Sequence, residues 1–135
     1  MADADQLSVL LAKINARSAV AGVVGLGYVG LPLALAILRA GFTVKGLDVD
    51  PAKISELARG GTYLSTVASG AVRDAMATKR FIPTGDFGVL RDCDVIIICV
   101  PTPLTKYREP DMTYIEETGR VIAANLRQGQ LVVLE

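Results

Sequence analysis

The sequence contains no histidine and no tryptophan, and it has only two cysteines among 135 residues. Without histidine, the chain lacks the commonest general base and the commonest metal ligand, so we expect no metal site. Cys99 lies in an apolar run that predicts a buried strand, where a thiol is inert. Cys93 stands between two aspartates, whose negative charges should raise its pKa. We therefore predict that this chain carries no catalytic residue and that the protein resides in a reducing compartment.

The sequence also has no net charge and few aromatic residues. Lys plus Arg and Asp plus Glu number 14 each, and aromatic residues make up 5% of the chain. A basic stripe and an aromatic stacking platform are both absent, which argues against a nucleic-acid partner. No apolar run reaches the roughly 20 residues that span a bilayer. The N-terminus is acidic and has no signal-peptide pattern, so we expect a cytoplasmic protein without membrane contact.

The segment 19–50 carries the most informative pattern. Its parts follow the order of a dinucleotide-binding unit: an apolar strand at 19–24, the glycines Gly25, Gly27 and Gly30, a helix at 28–40, a strand at 42–47, and Asp48. This order of strand, glycine turn, helix, strand and acid is far more specific than the glycines alone. The alternative is a glycine-rich turn in an α/β domain that binds nothing.

Each of these residues has a physical role in the pattern. Gly25 allows a tight turn, Gly27 lets the backbone approach a pyrophosphate, and Gly30 lets the helix pack closely on the strand. Free N–H groups at the start of the helix attract phosphates. Asp48 follows Gly30 by 18 residues, near the spacing of about 20 for an acid that bonds ribose hydroxyls.

The rest of the chain continues the alternation of helices and strands. We predict an amphipathic helix at 7–17, further helices at 51–58, within 63–78 and at 113–126, and strands at 81–84, 95–100 and 131–134. The pattern indicates an α/β fold of the Rossmann type, a doubly wound parallel sheet with helices on both faces. We assign residues 1–18 to a helix packed on the domain and residues 19–135 to the domain itself.

The final run, 131–134, is typical of a buried strand, and a ligand-facing loop usually follows such a strand. We therefore expect the chain to be an excised N-terminal domain. The alternative is a short protein whose last strand lies at the sheet edge.

Three motifs together resemble the NAD-binding domain of the UDP-glucose/GDP-mannose dehydrogenase family. They are GLGYVGL from Gly25, LDVDPAK from Leu47 and CVPTPL from Cys99. The loop PLTKYREPD from Pro103 resembles the branch of that family that oxidises UDP-N-acetylhexosamines. UDP-glucose remains an alternative substrate.

The resemblance implies that the full-length protein oxidises the C6 alcohol of a UDP-sugar to a carboxylate with two NAD molecules in turn. It also implies a homo-oligomer, and a nucleophilic cysteine in a second domain that lies beyond this sequence. We therefore expect the 135 residues to bind NAD and to be inactive alone. A non-catalytic NAD-sensing domain and another NAD-dependent oxidoreductase of the same fold stay open as alternatives.

The resemblance also assigns cofactor-binding roles residue by residue. Leu26, Tyr28 and Val29 join the three glycines through their backbone, although the side chains of Tyr28 and Val29 equally suit a packing role. Asp48 takes the adenosine ribose, and its charge favours NAD over NADP.

The remaining assigned residues lie after the second and the fourth strand. Lys53 reaches the ribose or the adenine edge, or is a solvated helix lysine. The resemblance places Val100, Pro101 and Thr102 beside the nicotinamide half. Asp50 suits a helix-capping role better than Asp48 does.

Overall fold

The computed structural model describes residues 2–135, with side chains described from residue 5 onward. The helices are α1 Ala2–Asn15, α2 Gly30–Arg39, α3 Pro51–Ala58, α4 Ala71–Ala77 and α5 Thr113–Asn125. The strands are β1 Val20–Val24, β2 Thr43–Leu47, β3 Phe81–Thr84, β4 Val95–Ile98 and β5 Leu131–Leu134. A 3-10 helix spans Phe87–Asp92.

The five strands form one sheet in the order β3-β2-β1-β4-β5, and every pair is parallel. The chain moves from β1 to β2 on one side and later crosses to β4 on the other side of β1. The strand order therefore reverses beside β1, which is where parallel α/β sheets open a crevice for ligands. This confirms the predicted Rossmann-type fold.

Two apolar clusters cover the two faces of the sheet. Successive strand residues point to opposite faces, so Val23 belongs to one cluster and Val24 to the other. The first cluster buries α2, α3 and α4 through Leu35, Leu57 and Val72. The second cluster buries the 3-10 helix and α5 through the side chains of Leu90 and Ile122. Helices therefore cover both faces, as the doubly wound fold requires.

The segment between α3 and β3 agrees with the prediction of one short helix after a loop. The helix is α4, which lies within 63–78 and begins after Gly70, where φ is +89°. In the loop before it, the Tyr63 hydroxyl donates a hydrogen bond to the carbonyl of Leu26. The 3-10 helix is an element that the pattern did not predict.

Strand β4 ends two residues earlier than predicted, at Ile98, so Cys99 and Val100 lie in the following loop. Strand β3 is at the sheet edge, which explains why it tolerates Pro83. Strand β5 forms the other edge, and all four of its side chains are exposed. The prediction that β5 is buried is therefore wrong for this chain, since none of its side chains belongs to either apolar cluster.

The outer helices bury less apolar surface than their patterns predict. In α1, Leu7 and Leu11 are exposed, whereas Ile14 is partly covered. The helix predicted at 113–126 would bury Ile115, Val121, Ile122 and Leu126 on one face, but in the structure only Ile122 of these four is fully buried. Thr118 is buried in their place, one turn before Ile122.

Among the described residues, no helix is long and apolar enough to cross a membrane.

A polar cluster ties the elements together at the amino-terminal edge of the sheet. Asp94 is 5% exposed and accepts hydrogen bonds from Lys13 at 2.9 Å, Arg127 at 3.0 Å and the Val20 N–H at 2.8 Å. Burial alone would raise the pKa of Asp94, but these three donors outweigh it and lower the pKa. The carboxylate thereby joins α1, β1 and the turn before β5, far from the crevice.

Candidate functional site

Three segments meet where the carboxyl ends of the central strands lie side by side. They are the glycine turn after β1, residues 48–53 after β2, and residues 99–102 after β4. Because β1 lies between β2 and β4, the glycine turn is at the centre of this edge. The predicted site residues are therefore gathered at the crevice beside β1 by the strand order alone.

Two of the three glycines are required by the protein itself. Gly25 has φ +97°, and a Cβ atom there would lie 2.6 Å from the carbonyl oxygen of Cys99. A Cβ atom on Gly30 would lie 1.6 Å from the carbonyl oxygen of Gly25, a distance no folded backbone permits. Gly25 therefore makes the turn possible, and Gly30 lets α2 pack against that turn, as the fingerprint predicts.

Gly27 has no such explanation within the protein. A Cβ atom placed on Gly27 would meet nothing within 4 Å. Among the described residues, no group accepts a hydrogen bond from the N–H groups of Gly27, Tyr28 or Val29. The helix α2 that follows has no side-chain cap and no acidic residue in its first turn. Unpaired N–H groups, open space and an uncapped helix start together favour an anion at this place.

Asp48 is held at the rim of this space. Its side chain is 8% exposed. One carboxylate oxygen accepts the Leu26 N–H at 2.9 Å, and the other accepts the Asp50 N–H at 2.9 Å. Each oxygen keeps a further lone pair, so the carboxylate can also accept bonds from ligand hydroxyls. Asp50 itself caps α3 by accepting the Ala52 N–H at 2.9 Å, which confirms the capping role expected for it.

Lys53 and Tyr63 complete the surroundings of Asp48. The Lys53 ammonium lies 3.6 Å from a carboxylate oxygen of Asp48 and 5.6 Å from the centre of the Tyr63 ring. The Tyr63 hydroxyl donates a hydrogen bond to the Leu26 carbonyl. Lys53 is therefore not a freely solvated helix lysine. Tyr63 is the residue that sequence reasoning missed, because its partner Leu26 lies 37 positions away in the sequence.

The predicted contacts of Leu26, Tyr28 and Val29 need correction. The side chain of Leu26 is fully buried, its N–H is bonded to Asp48 and its carbonyl to Tyr63, so Leu26 supports the turn from inside. Tyr28 and Val29 are 76% and 54% exposed, so their side chains do not pack on this domain. Their free backbone N–H groups remain consistent with the predicted role.

Only the first residues of the segment after β4 lie beside the glycine turn. The backbone nitrogen of Val100 lies 3.0 Å from where a Cβ atom on Gly25 would stand, so these two residues are adjacent. Pro101 and Thr102 are exposed. Of these three residues, Val100 is therefore the one that lies against the glycine turn at the crevice.

Neither cysteine has the surroundings of a nucleophile. The Cys93 side chain is fully buried, and burial is the largest cause that raises the pKa of its thiol to about 11. Asp92 and Asp94 add to this shift, as expected, but they are secondary. Burial also raises the pKa of Cys99. Both thiols are therefore protonated at neutral pH and inert.

The residues at the crevice fit a dinucleotide. The open space over Gly27, with three unpaired N–H groups, suits the negative charge of a pyrophosphate. The carboxylate of Asp48 lies at the end of the neighbouring strand, where a ribose attached to that pyrophosphate would reach. The site thus offers donors for the phosphates and an acceptor for the sugar hydroxyls.

Comparison with known proteins points to the same ligand. Residues 19–135 match the family described as the UDP-glucose/GDP-mannose dehydrogenase family, NAD binding domain. The chain is 36% identical over 118 residues to UDP-N-acetyl-D-mannosamine dehydrogenase of Escherichia coli (strain K12). It is 34% identical over 113 residues to UDP-N-acetyl-D-glucosamine 6-dehydrogenase of Pseudomonas aeruginosa. Each match covers 84% of this chain and 26% of the relative, so the chain spans about a quarter of their length.

The fold also matches a solved structure. The UDP-D-ManNAc dehydrogenase from Pyrococcus horikoshii superimposes with a TM-score of 0.80 at 30% sequence identity. The match covers 86% of this chain and 28% of that protein. Sequence and structure therefore agree on one group of relatives.

Proposed function

Because the chain belongs to the UDP-glucose/GDP-mannose dehydrogenase family and matches its NAD-binding domain, we propose that it is the cofactor-binding part of a UDP-sugar 6-dehydrogenase. The open, unpaired backbone around Gly27 carries this proposal, since no described residue comes within 4 Å of a Cβ atom placed there. The substrate class that we propose is a UDP-N-acetylhexosamine, which is oxidised at C6 to the uronic acid. Support comes from the 103–111 loop and from relatives that are named for such sugars.

The residues divide the binding of NAD between them. The N–H groups of Gly27, Tyr28 and Val29 would hold the pyrophosphate, helped by the dipole of α2. Asp48 would accept the adenosine ribose hydroxyls, with Lys53 beside it. A 2′-phosphate at that position would face the Asp48 carboxylate at close range, and the repulsion between the charges would disfavour NADP.

The other half of the cofactor would lie on the far side of β1. The proposed neighbours of the nicotinamide are Val100, Pro101 and Thr102, which leave β4 at the crevice. NAD supplies a hydride acceptor when it is bound, and the part of the reaction assigned to this chain is to hold and orient it. The chain has no histidine, and burial raises the pKa of both cysteine thiols, so neither thiol is a thiolate nucleophile at neutral pH.

We therefore propose that the 135 residues alone are inactive and that the full-length protein carries the activity. Its assembly into a homo-oligomer and its location in the cytoplasm remain predictions from the sequence. UDP-glucose is the alternative substrate of the same family.

The test compares the chain with its full-length parent. Each protein is incubated with NAD and with UDP-N-acetylglucosamine, UDP-N-acetylmannosamine or UDP-glucose, and NADH absorbance is followed. We expect two NADH per sugar from the parent with a UDP-N-acetylhexosamine, and no turnover from the 135 residues. A parent that oxidises only UDP-glucose would contradict the proposed substrate. Steady NADH production by the pure chain would contradict the proposed division of labour.

A further inference from the structure

The Tyr63 side chain is hydrogen-bonded to one peptide group of the glycine turn, the group between Leu26 and Gly27. Its hydroxyl donates to the carbonyl of Leu26, which lies 37 positions away in the sequence. That carbonyl and the N–H of Gly27 belong to the same planar peptide group. In a trans peptide the carbonyl and the N–H point in opposite directions, and no peptide bond of the described residues is cis. Fixing the carbonyl therefore fixes the direction of the Gly27 N–H.

The neighbouring peptide unit is fixed in a similar way. The N–H of Leu26 donates to the Asp48 carboxylate at 2.9 Å, while the Leu26 side chain is fully buried. Two consecutive peptide groups are thus held by side chains from two other segments. Among the described residues, no group accepts from the Gly27 N–H that emerges on the opposite side, and a Cβ there would meet nothing within 4 Å.

We propose that Tyr63 is a positioning residue for the dinucleotide: its hydroxyl orients the 26–27 peptide so that the Gly27 N–H is presented to the pyrophosphate. This inference rests on the proposed function of the site. The hydrogen bond also polarises the peptide group, which makes its N–H a stronger donor. Burial, with smaller contributions from Asp48 and Asp50, raises the pKa of Tyr63, so the hydroxyl keeps its proton.

The substitution Tyr63→Phe removes only the hydroxyl and keeps the ring beside Lys53. We expect it to weaken the binding of ADP and NAD by about threefold to tenfold, the range for one lost hydrogen bond. The binding of adenosine, which has no phosphate, should not change. A role in packing or in overall stability would affect all three ligands alike, so the difference between ADP and adenosine is the diagnostic readout.

The matched control is Tyr114→Phe, which makes the same change at a 44% exposed position on α5. Calorimetric titration of wild type and both variants, with circular dichroism to check the fold, gives the comparison. A Tyr63→Phe protein that binds ADP as the wild type does would overturn the positioning role alone. A wild type that binds neither ADP nor NAD would overturn the proposed function as well.

The wild-type protein offers a second measurement in case Tyr63→Phe does not fold. The 13Cζ resonance of Tyr63 should shift clearly further when ADP binds than when adenosine binds, because only a phosphate engages the opposite end of the 26–27 peptide. A resonance that responds to neither ligand, or to both equally, would overturn the inference.

Discussion

Substituting Gly27 by valine should remove dinucleotide binding and leave the fold intact. A Cβ on Gly27 would meet nothing within 4 Å, so the folded protein can accommodate the new side chain. The same atoms would fill the space over the turn where a pyrophosphate must approach. Displacing the phosphate from two of the three backbone N–H groups removes about 3–6 kcal/mol, at about 1.5–3 kcal/mol for each hydrogen bond to a charged group. That corresponds to a loss of affinity of about a hundredfold to ten-thousandfold.

The matched comparison is Gly30→Ala, a smaller change three residues away. Its Cβ would lie 1.6 Å from the Gly25 carbonyl oxygen and 3.2 Å from the Cys99 Cβ, so the backbone must move. We expect a loss of stability of about 3 kcal/mol or more, at the upper end of the range for overpacked sites. Gly30→Ala should therefore lower the free energy of unfolding, whereas Gly27→Val should lower only the affinity for NAD.

Thermal denaturation followed by circular dichroism, combined with calorimetric titration of NAD, separates the two effects. The reasoning would be refuted if Gly27→Val bound NAD with wild-type affinity while folded. It would also be refuted if Gly27→Val lost as much stability as Gly30→Ala, since the space over Gly27 would then not be reserved for a ligand.

The remaining predictions concern two aspartates and one cysteine. Asp48→Ala should weaken NAD binding by about 1–3 kcal/mol and reduce the difference in affinity between NAD and NADP, as measured by titration with both. A variant that keeps its full preference for NAD would show that another residue recognises the ribose. The depressed pKa of Asp94 means that its stabilising contribution is present above the pKa of an unfolded aspartate and is lost as pH falls through the folded pKa. Acid denaturation curves of wild type and Asp94→Asn should therefore differ near neutral pH and converge in acid, and parallel curves would disprove this. Cys93 is fully buried with a raised pKa, so the folded chain should resist alkylation of Cys93 at pH 7 in mass spectrometry, and rapid labelling would contradict its assigned surroundings.

The sequence predicts the fold well because local periodicity and glycine chemistry act over short distances. The run from β1 to Asp48 needs only an apolar alternation, three glycines at fixed spacing and an acid at the end of a strand. Each of those signals lies within 30 residues or so, and a parallel sheet then brings the strand ends to one edge. Asp48 and Val100 reach the crevice for this reason alone.

The features that the sequence did not reveal depend on contacts between distant segments. Tyr63 meets the Leu26 carbonyl across 37 positions, and no local pattern marks a tyrosine that will turn inward. Asp94 is likewise paired with Lys13 and Arg127, which are distant in the sequence, so the residues around Asp94 indicate only a polar turn. The exposure of β5 was missed because an apolar run is the same whether or not other elements cover the two faces of the strand.

The central claim is that the crevice beside β1 binds NAD through its glycine turn and reads the ribose through Asp48. Isothermal titration of the 135-residue chain with NAD and NADP, side by side at one ionic strength, tests it most directly. The structure and the family predict a saturable heat of binding for NAD and much weaker binding for NADP. Equal affinity for the two would contradict the role of Asp48, and the absence of binding to either would contradict the site itself.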